Sequence, residues 1–357
     1  MNSLKLLNRD SNIELLRILC ICGVIILHYS NTEIGKALLY VSYGSINYYV
    51  LMFLINISIC SVNLFMLISG YYLSSNFKVI LVKPIKLLFA VISFKFAIYC
   101  MHVFLSKETL EIVSIFNALL PTNYFVILYI SVYLISPYIN KIFLYSEYEV
   151  SRRFILILFM IFSVYPTIVD VLGQLGFNIF GLSSIGMYGS QYGYSFVNFL
   201  LIYCLGVFCN KLDFEKIDYK KLIILLVVCN VVLNSWSYLD SNTAWEYCNP
   251  VLISQTIIIF ILFKKIKIQK SKKINLLGDA AFTVFLLHFY FLNKLNINHF
   301  VNSNILFFLM HIFSSCLIIY LICFFVHLCY KKIEAIIFNL TLFKSSILNK
   351  DITLVNK

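Results

Sequence analysis

The chain has 357 residues, of which 61% are apolar, 17% aromatic and 12% charged, with a formal net charge of +12. Soluble domains are about 45–50% apolar and about 25% charged, so this chain lacks the polar surface needed to wrap a water-soluble globule. Its abundance of aliphatic and aromatic side chains also excludes intrinsic disorder.

A membrane helix needs about 20 mostly apolar residues. Such runs fall at 13–30, 46–72, 79–105, 122–140, 154–172, 194–209, 222–238, 250–263, 276–292 and 304–330. They are continuous rather than alternating, which fits helices and not a membrane barrel. The expected fold is all-α: a polytopic membrane protein of about ten transmembrane helices. We read it as a single domain, 1–357, with its spans within 13–330 and a short basic tail over 331–357. Lys5 and Arg9 precede the first run, as in a signal peptide, but no small-residue cleavage pattern follows and Arg17 interrupts the run. It therefore reads as a retained span.

The cations fix an expected orientation. With the N-terminus inside, 23 of the 28 Lys and Arg residues face the cytoplasm; only Lys36, Lys107 and Lys294 lie outside, and Arg17 and Lys95 lie within spans. That bias predicts both termini on the cytoplasmic side. It accounts for the basicity without nucleic acid and places the lysine-rich loops against anionic lipid. Among the 11 cysteines no spacing suggests a disulfide framework or zinc site, and no metal or tightly bound cofactor is expected. The outer segment 173–193 holds six of the 12 glycines, either as a mobile loop over an outer ligand or as a plain connection.

Ionisable residues inside spans are costly and point to function. Here they are Glu14, Arg17, His28, Lys95, His102, His288, His311 and His327, with Asp170 and Asp279 near span ends. Arg17 and His28 are eleven positions apart in the first span. At 3.6 residues per turn they share a face and stand about 16 Å apart along the axis. Glu14 is one turn before Arg17, at ion-pairing distance. This stripe is either a site with an anion, a cation and a titratable base, or an interfacial Arg17–Glu14 pair with an interfacial histidine. His288 in the ninth span has a depth like that of His28, so the two could share a cavity. Lys95 and His102, two turns apart, could line the same space. His311 and His327 read as packing residues.

Arg17-x10-His28 resembles the signature of the acyltransferase-3 family of integral membrane acyltransferases. Further matches run in order along the chain. VNLFMLISGYYL (62–73), containing Ser69, resembles the family's Phe-rich segment ending in Ser-Gly-Tyr-Leu. TNYFVILYISVYLISPYINK (122–141) is similar to its span closing on Leu-Ser-Pro. FLLIYCLGVFCNK (199–211) resembles its glycine-bearing span, and LLGDAAFTVFLLHFYF (276–291) the late span that runs from Leu-Gly to a histidine. Two departures stand out. Thr122-Asn123-Tyr124 replaces the family's His-Leu-Trp, and Lys83 and Lys86 keep the spacing of an Arg-x-x-Arg pair with lysines.

The resemblance implies transfer of an acyl group, usually acetyl, from cytoplasmic acetyl-CoA to a hydroxyl of a cell-surface glycan or lipid-linked glycan, in a bacterial inner membrane. It implies His28 as general base, or as a nucleophile, with Arg17 positioning the donor. Supporting roles fall to Glu14, His288, Ser69, Asn123 and Tyr124. Lys83 and Lys86 would meet the donor phosphates, or serve only as positive-inside residues. The alternative is a glycolipid or polysaccharide transporter or flippase.

Overall fold

The computed structural model describes residues 9–106, 111–177 and 195–339. Among these the chain is helical, with no strand. The α-helices of eight or more residues are α1 (Ser11–Ser30), α2 (Ile46–Ser58), α3 (Ser61–Leu73), α4 (Val82–Ser106), α5 (Ile112–Leu119), α6 (Tyr124–Tyr145), α7 (Tyr148–Phe159), α8 (Tyr165–Gln174), α9 (Phe196–Cys209), α10 (Tyr219–Leu239), α11 (Pro250–Lys265), α12 (Lys272–Asp279), α13 (Ala281–Leu292) and α14 (Ile305–Asn339). A π-helical turn, Met160–Val164, joins α7 to α8. Lys5, Lys107, most of the glycine-rich 173–193 segment and the tail beyond Asn339 lie outside the described residues.

Every apolar run expected to span forms helix, but the runs differ in length. Among the described residues, seven candidate spans are long and apolar enough to cross a membrane, or eight if α12 and α13, bent by 53°, count as one. Helix α9 has 14 residues and α11 has 16, about 21 and 24 Å at 1.5 Å per residue, short of a hydrocarbon core of about 30 Å. Ser195 caps α9 and Asn249 caps α11, each side chain accepting a backbone N–H of the first turn. These N-caps set where the two helices begin. The run 46–72 is broken between α2 and α3 at Ile59–Cys60. The last helix continues to Asn339, so the start of the basic tail is part of α14.

Burial separates the centre of the bundle from its rim. In the most apolar stretch, α1 is 61% buried and Ile46–Leu73 is 78% buried, against 17% for Val82–Leu105. Helix α1 packs against α2, α3, α11, α12, α13 and α14, so residues on its stripe face protein rather than lipid.

The closest crossing is α3 on α9. A Cβ at Gly70 would strike the Tyr203 carbonyl oxygen, and one at Gly206 would strike that of Leu67. Small residues at such a crossing let two backbones touch, which matters in a bilayer because association there relies on packing. Polar side chains fasten the rest. Asn140 on α6 donates to the carbonyls of Leu73 (2.6 Å) and Asn76 (2.7 Å). Asn56 donates to Asn234 and accepts from Trp245, each at 2.8 Å.

Candidate active site

The first turns of α1 carry a chain of ion pairs. Glu14 is 4% exposed, and its Oε1 lies 3.2 Å from Arg17 Nη1 and 3.5 Å from Arg9 Nη1. It can sit there because position 278 is glycine: a Cβ on Gly278 would collide with Glu14 Oε2. Arg9 reaches onward, donating to Asp279 Oδ1 at 2.7 Å. Asp279 Oδ2 meets His327 Nε2 at 3.1 Å, and His327 Nδ1 meets Thr283 Oγ1 at 2.8 Å. One connected network therefore runs from Arg17 on α1 through the α12–α13 bend to α14.

Two cavities open on this network. One, of about 310 Å³, is lined by Arg9, Arg17, Val24, Ser69, Asp279 and Phe285 among others. The second, of about 300 Å³, is lined by Lys83, Lys86, Thr283, His327, Lys331 and Glu334 among others. Leu87, Tyr129, Asp279, Phe282 and Lys331 belong to both walls, so the two form one groove. Five cations surround it. Lys331 pairs with Glu334 at 2.9 Å and Lys86 with the same carboxylate at 3.7 Å, while Lys83 lies over the Tyr133 ring, 5.7 Å from its centre.

His28 lies beyond the groove on the unbroken helix α1. Its ring packs against His288, centroids 5.1 Å apart and planes tilted by 37°, and against Phe289 at 4.3 Å. Val24 and Phe285, which line the groove, are each one helical turn from His28 and Phe289, about 5.4 Å along their axes. His288 Nδ1 lies 3.0 Å from the Val284 carbonyl. A carbonyl only accepts, so Nδ1 carries the proton and Nε2 presents a lone pair. Among the described residues, that Nε2 and His28 Nδ1 are buried with no hydrogen-bond partner.

The remaining sequence candidates fall elsewhere. Ser69 lines the groove, but its hydroxyl donates to the Phe65 carbonyl at 2.8 Å. Asn123 caps α6 and shares a separate cavity of about 170 Å³ with Lys95; Tyr124 is exposed at 43%. Lys95 ties the loop before α6, donating to the carbonyls of Asn117 and Leu120 and to Thr122 Oγ1. His102 packs on Tyr290. Neither joins His28. His311 Nδ1 lies 2.8 Å from the Tyr29 hydroxyl, and its ring stacks on Phe300. His327, read from the sequence as packing, is instead a member of the ion-pair network. Among the described residues no cluster suited to a metal ion occurs.

Just outside the first span, Asp10 anchors α1, its Oδ2 accepting from Tyr72 at 2.6 Å and Lys264 at 3.0 Å. Burial alone would raise its pKa, but those two hydrogen bonds and the Lys264 charge outweigh it and hold the carboxyl below its ordinary value.

The ordered family motifs now have structural roles. Gly70 and Gly206 make the α3–α9 crossing, and Gly278 admits Glu14. Residues 10–327 match the family model described as an acyltransferase domain, of the acyltransferase-3 type. The chain belongs to the acyltransferase-3 family. It is thus a multi-pass membrane acyltransferase. No curated protein and no solved structure matches it.

Proposed function

We propose that the chain transfers an acetyl group from cytoplasmic acetyl-CoA to a hydroxyl of a cell-surface glycan, of capsule or O-antigen type, in a bacterial inner membrane. The observation that carries this reading is the groove: Arg9, Arg17, Lys83, Lys86 and Lys331 line it, and it reaches to within one turn of the half-buried His28 and its buried neighbour His288. Coenzyme A is a polyphosphate, and phosphate needs cations: arginine as a bidentate fork, lysine as a point charge. With both termini cytoplasmic, as the 23 inner cations argue, the groove opens inward and His28 lies toward the outer face.

Each residue then has a role. Lys83, Lys86 and Lys331 hold donor phosphates. Glu14 orients Arg17, whose guanidinium contacts the donor near its thioester. His28 is the general base that takes the proton of the acceptor hydroxyl; a neutral imidazole does this well near neutral pH. No resident cofactor is required, acetyl-CoA being a substrate.

A second reading, a glycolipid or polysaccharide transporter, draws on one observation. The 53° break between α12 and α13 is a discontinuous helix of the kind that lines transporter sites. Mass spectrometry of surface glycan from cells with and without the chain separates the two. The enzyme reading requires glycan that is present in both and acetylated only with the chain. Glycan missing from the surface without the chain would instead support transport.

A further inference from the structure

The acetyl-transfer reading leaves three linked residues without a task. Thr283 Oγ1 lies 2.8 Å from His327 Nδ1, and His327 Nε2 lies 3.1 Å from Asp279 Oδ2. Asp279 also receives the Arg9 guanidinium. A carboxylate so paired is an acceptor, so His327 donates its Nε2 proton to Asp279 and turns the Nδ1 lone pair toward the Thr283 hydroxyl. The order is hydroxyl, imidazole base, orienting carboxylate, which is the arrangement that activates oxygen nucleophiles.

Thr167 and Thr256, also within helices, behave differently. Thr167 donates back to the Ser163 carbonyl at 2.9 Å and Thr256 to that of Leu252 at 2.8 Å, the usual four-residue back-bond of a hydroxyl in a helix. Thr283 gives its hydroxyl to His327 instead. Thr283 and His327 are each 2% exposed, yet both line the cavity that holds Lys83 and Lys86, so the site is accessible from the groove but poor in water. Poor hydration protects a reactive ester from hydrolysis.

We infer that Thr283 is an acyl-accepting nucleophile that takes the acyl group from the thioester donor before the glycan does; this rests on the donor proposed above. In the first step Thr283 Oγ1 attacks the thioester carbonyl carbon and passes its proton to His327 Nδ1. The new C–O ester bond forms, the C–S bond breaks, and coenzyme A leaves as a thiolate. In the second step the acceptor hydroxyl attacks the ester carbonyl and gives its proton to His28. The bond to Thr283 breaks, and Oγ1 recovers its proton from His327. His28 then releases its proton to water, from which the thiolate takes one up. Phe282, on both cavity walls, links the Thr283 side of the groove to the Val24–Phe285 side nearest His28.

The test uses the full-length protein in membrane vesicles with acetyl-labelled acetyl-CoA and no acceptor. The His28→Ala variant, blocked after loading, should release one coenzyme A per chain in a burst and carry one alkali-labile acetyl group on the peptide containing Thr283. Adding Thr283→Val, which keeps the shape and removes the hydroxyl, should abolish burst and label; Thr283→Ser should restore both. If acetyl-CoA binds but no label reaches Thr283, this inference is overturned alone. Thr283→Val with wild-type glycan acetylation also overturns it. If wild-type protein does not bind acetyl-CoA, the donor reading falls and takes this inference with it.

Discussion

His28 and His288, from helices far apart in the sequence, pack ring against ring, centroids 5.1 Å apart and planes tilted by 37°. The Val284 carbonyl fixes the proton of His288 on Nδ1, so its free Nε2 is a proton acceptor beside the proposed base.

The two nitrogens of His288 can be tested separately. His288→Asn places an amide where Nδ1 was and keeps the bond to Val284, but leaves nothing at Nε2. His288→Gln reaches the Nε2 position. If Nε2 supports His28, Asn should lower kcat by about 10²-fold, in the range of lost acid–base assistance, with donor KM unchanged. Gln should retain more activity. Equal loss in both variants, with weaker insertion, would mean that His288 serves packing.

Gly278→Ala tests the seat of Glu14. The added Cβ meets Glu14 Oε2 and Glu14 Cβ, and overpacking of this kind costs about 1–3 kcal/mol. The displaced carboxylate should loosen Arg17, so donor KM should rise together with the loss of thermal stability. Unchanged KM would show that Glu14 does not position Arg17.

Arg17→Lys keeps a charge and loses the fork. We expect kcat/KM for acetyl-CoA to fall by about 10²-fold, the low end of losing one preorganised donor to a developing charge, at normal protein level. Steady-state kinetics in vesicles measure this, and near-wild-type values would exclude a shape-specific role for the guanidinium.

Asp10 should make stability depend on pH. Its carboxyl is held below its ordinary value in the folded protein, so it contributes stability at pH above the unfolded value, about 3.9, and that contribution is lost as pH falls through the folded value. Wild type should therefore be more stable than Asp10→Asn at neutral pH, with the gap closing on acidification. Thermal unfolding of detergent-solubilised protein reads this, and a gap constant with pH would contradict it.

Legibility in the sequence followed distance along the chain. The apolar runs showed where helices form, because burial in lipid demands little more than length and hydropathy. They also showed that α9 and α11 would be short, at 194–209 and 250–263, but not that Ser195 and Asn249 would cap them and set where they begin. Arg17, Glu14 and His28 were legible because one helix fixes their spacing. The link from Arg9 to Asp279 joins residues 270 positions apart, and His327 reaches Thr283 across 44. Such contacts depend on how helices rotate against one another, which periodicity does not encode. Arg9 therefore read as an orientation signal and His327 as packing. The local hint was Asp279 and Thr283 four positions apart just after Gly278, one on each side of the α12–α13 bend.

The account rests on acetyl transfer that requires His28. Vesicles bearing wild-type or His28→Ala protein, supplied with acetyl-labelled acetyl-CoA and glycan acceptor, measure it directly. Wild type should put label on glycan and His28→Ala only background label, with equal protein level and equal acetyl-CoA binding. Near-wild-type labelling by His28→Ala would contradict it.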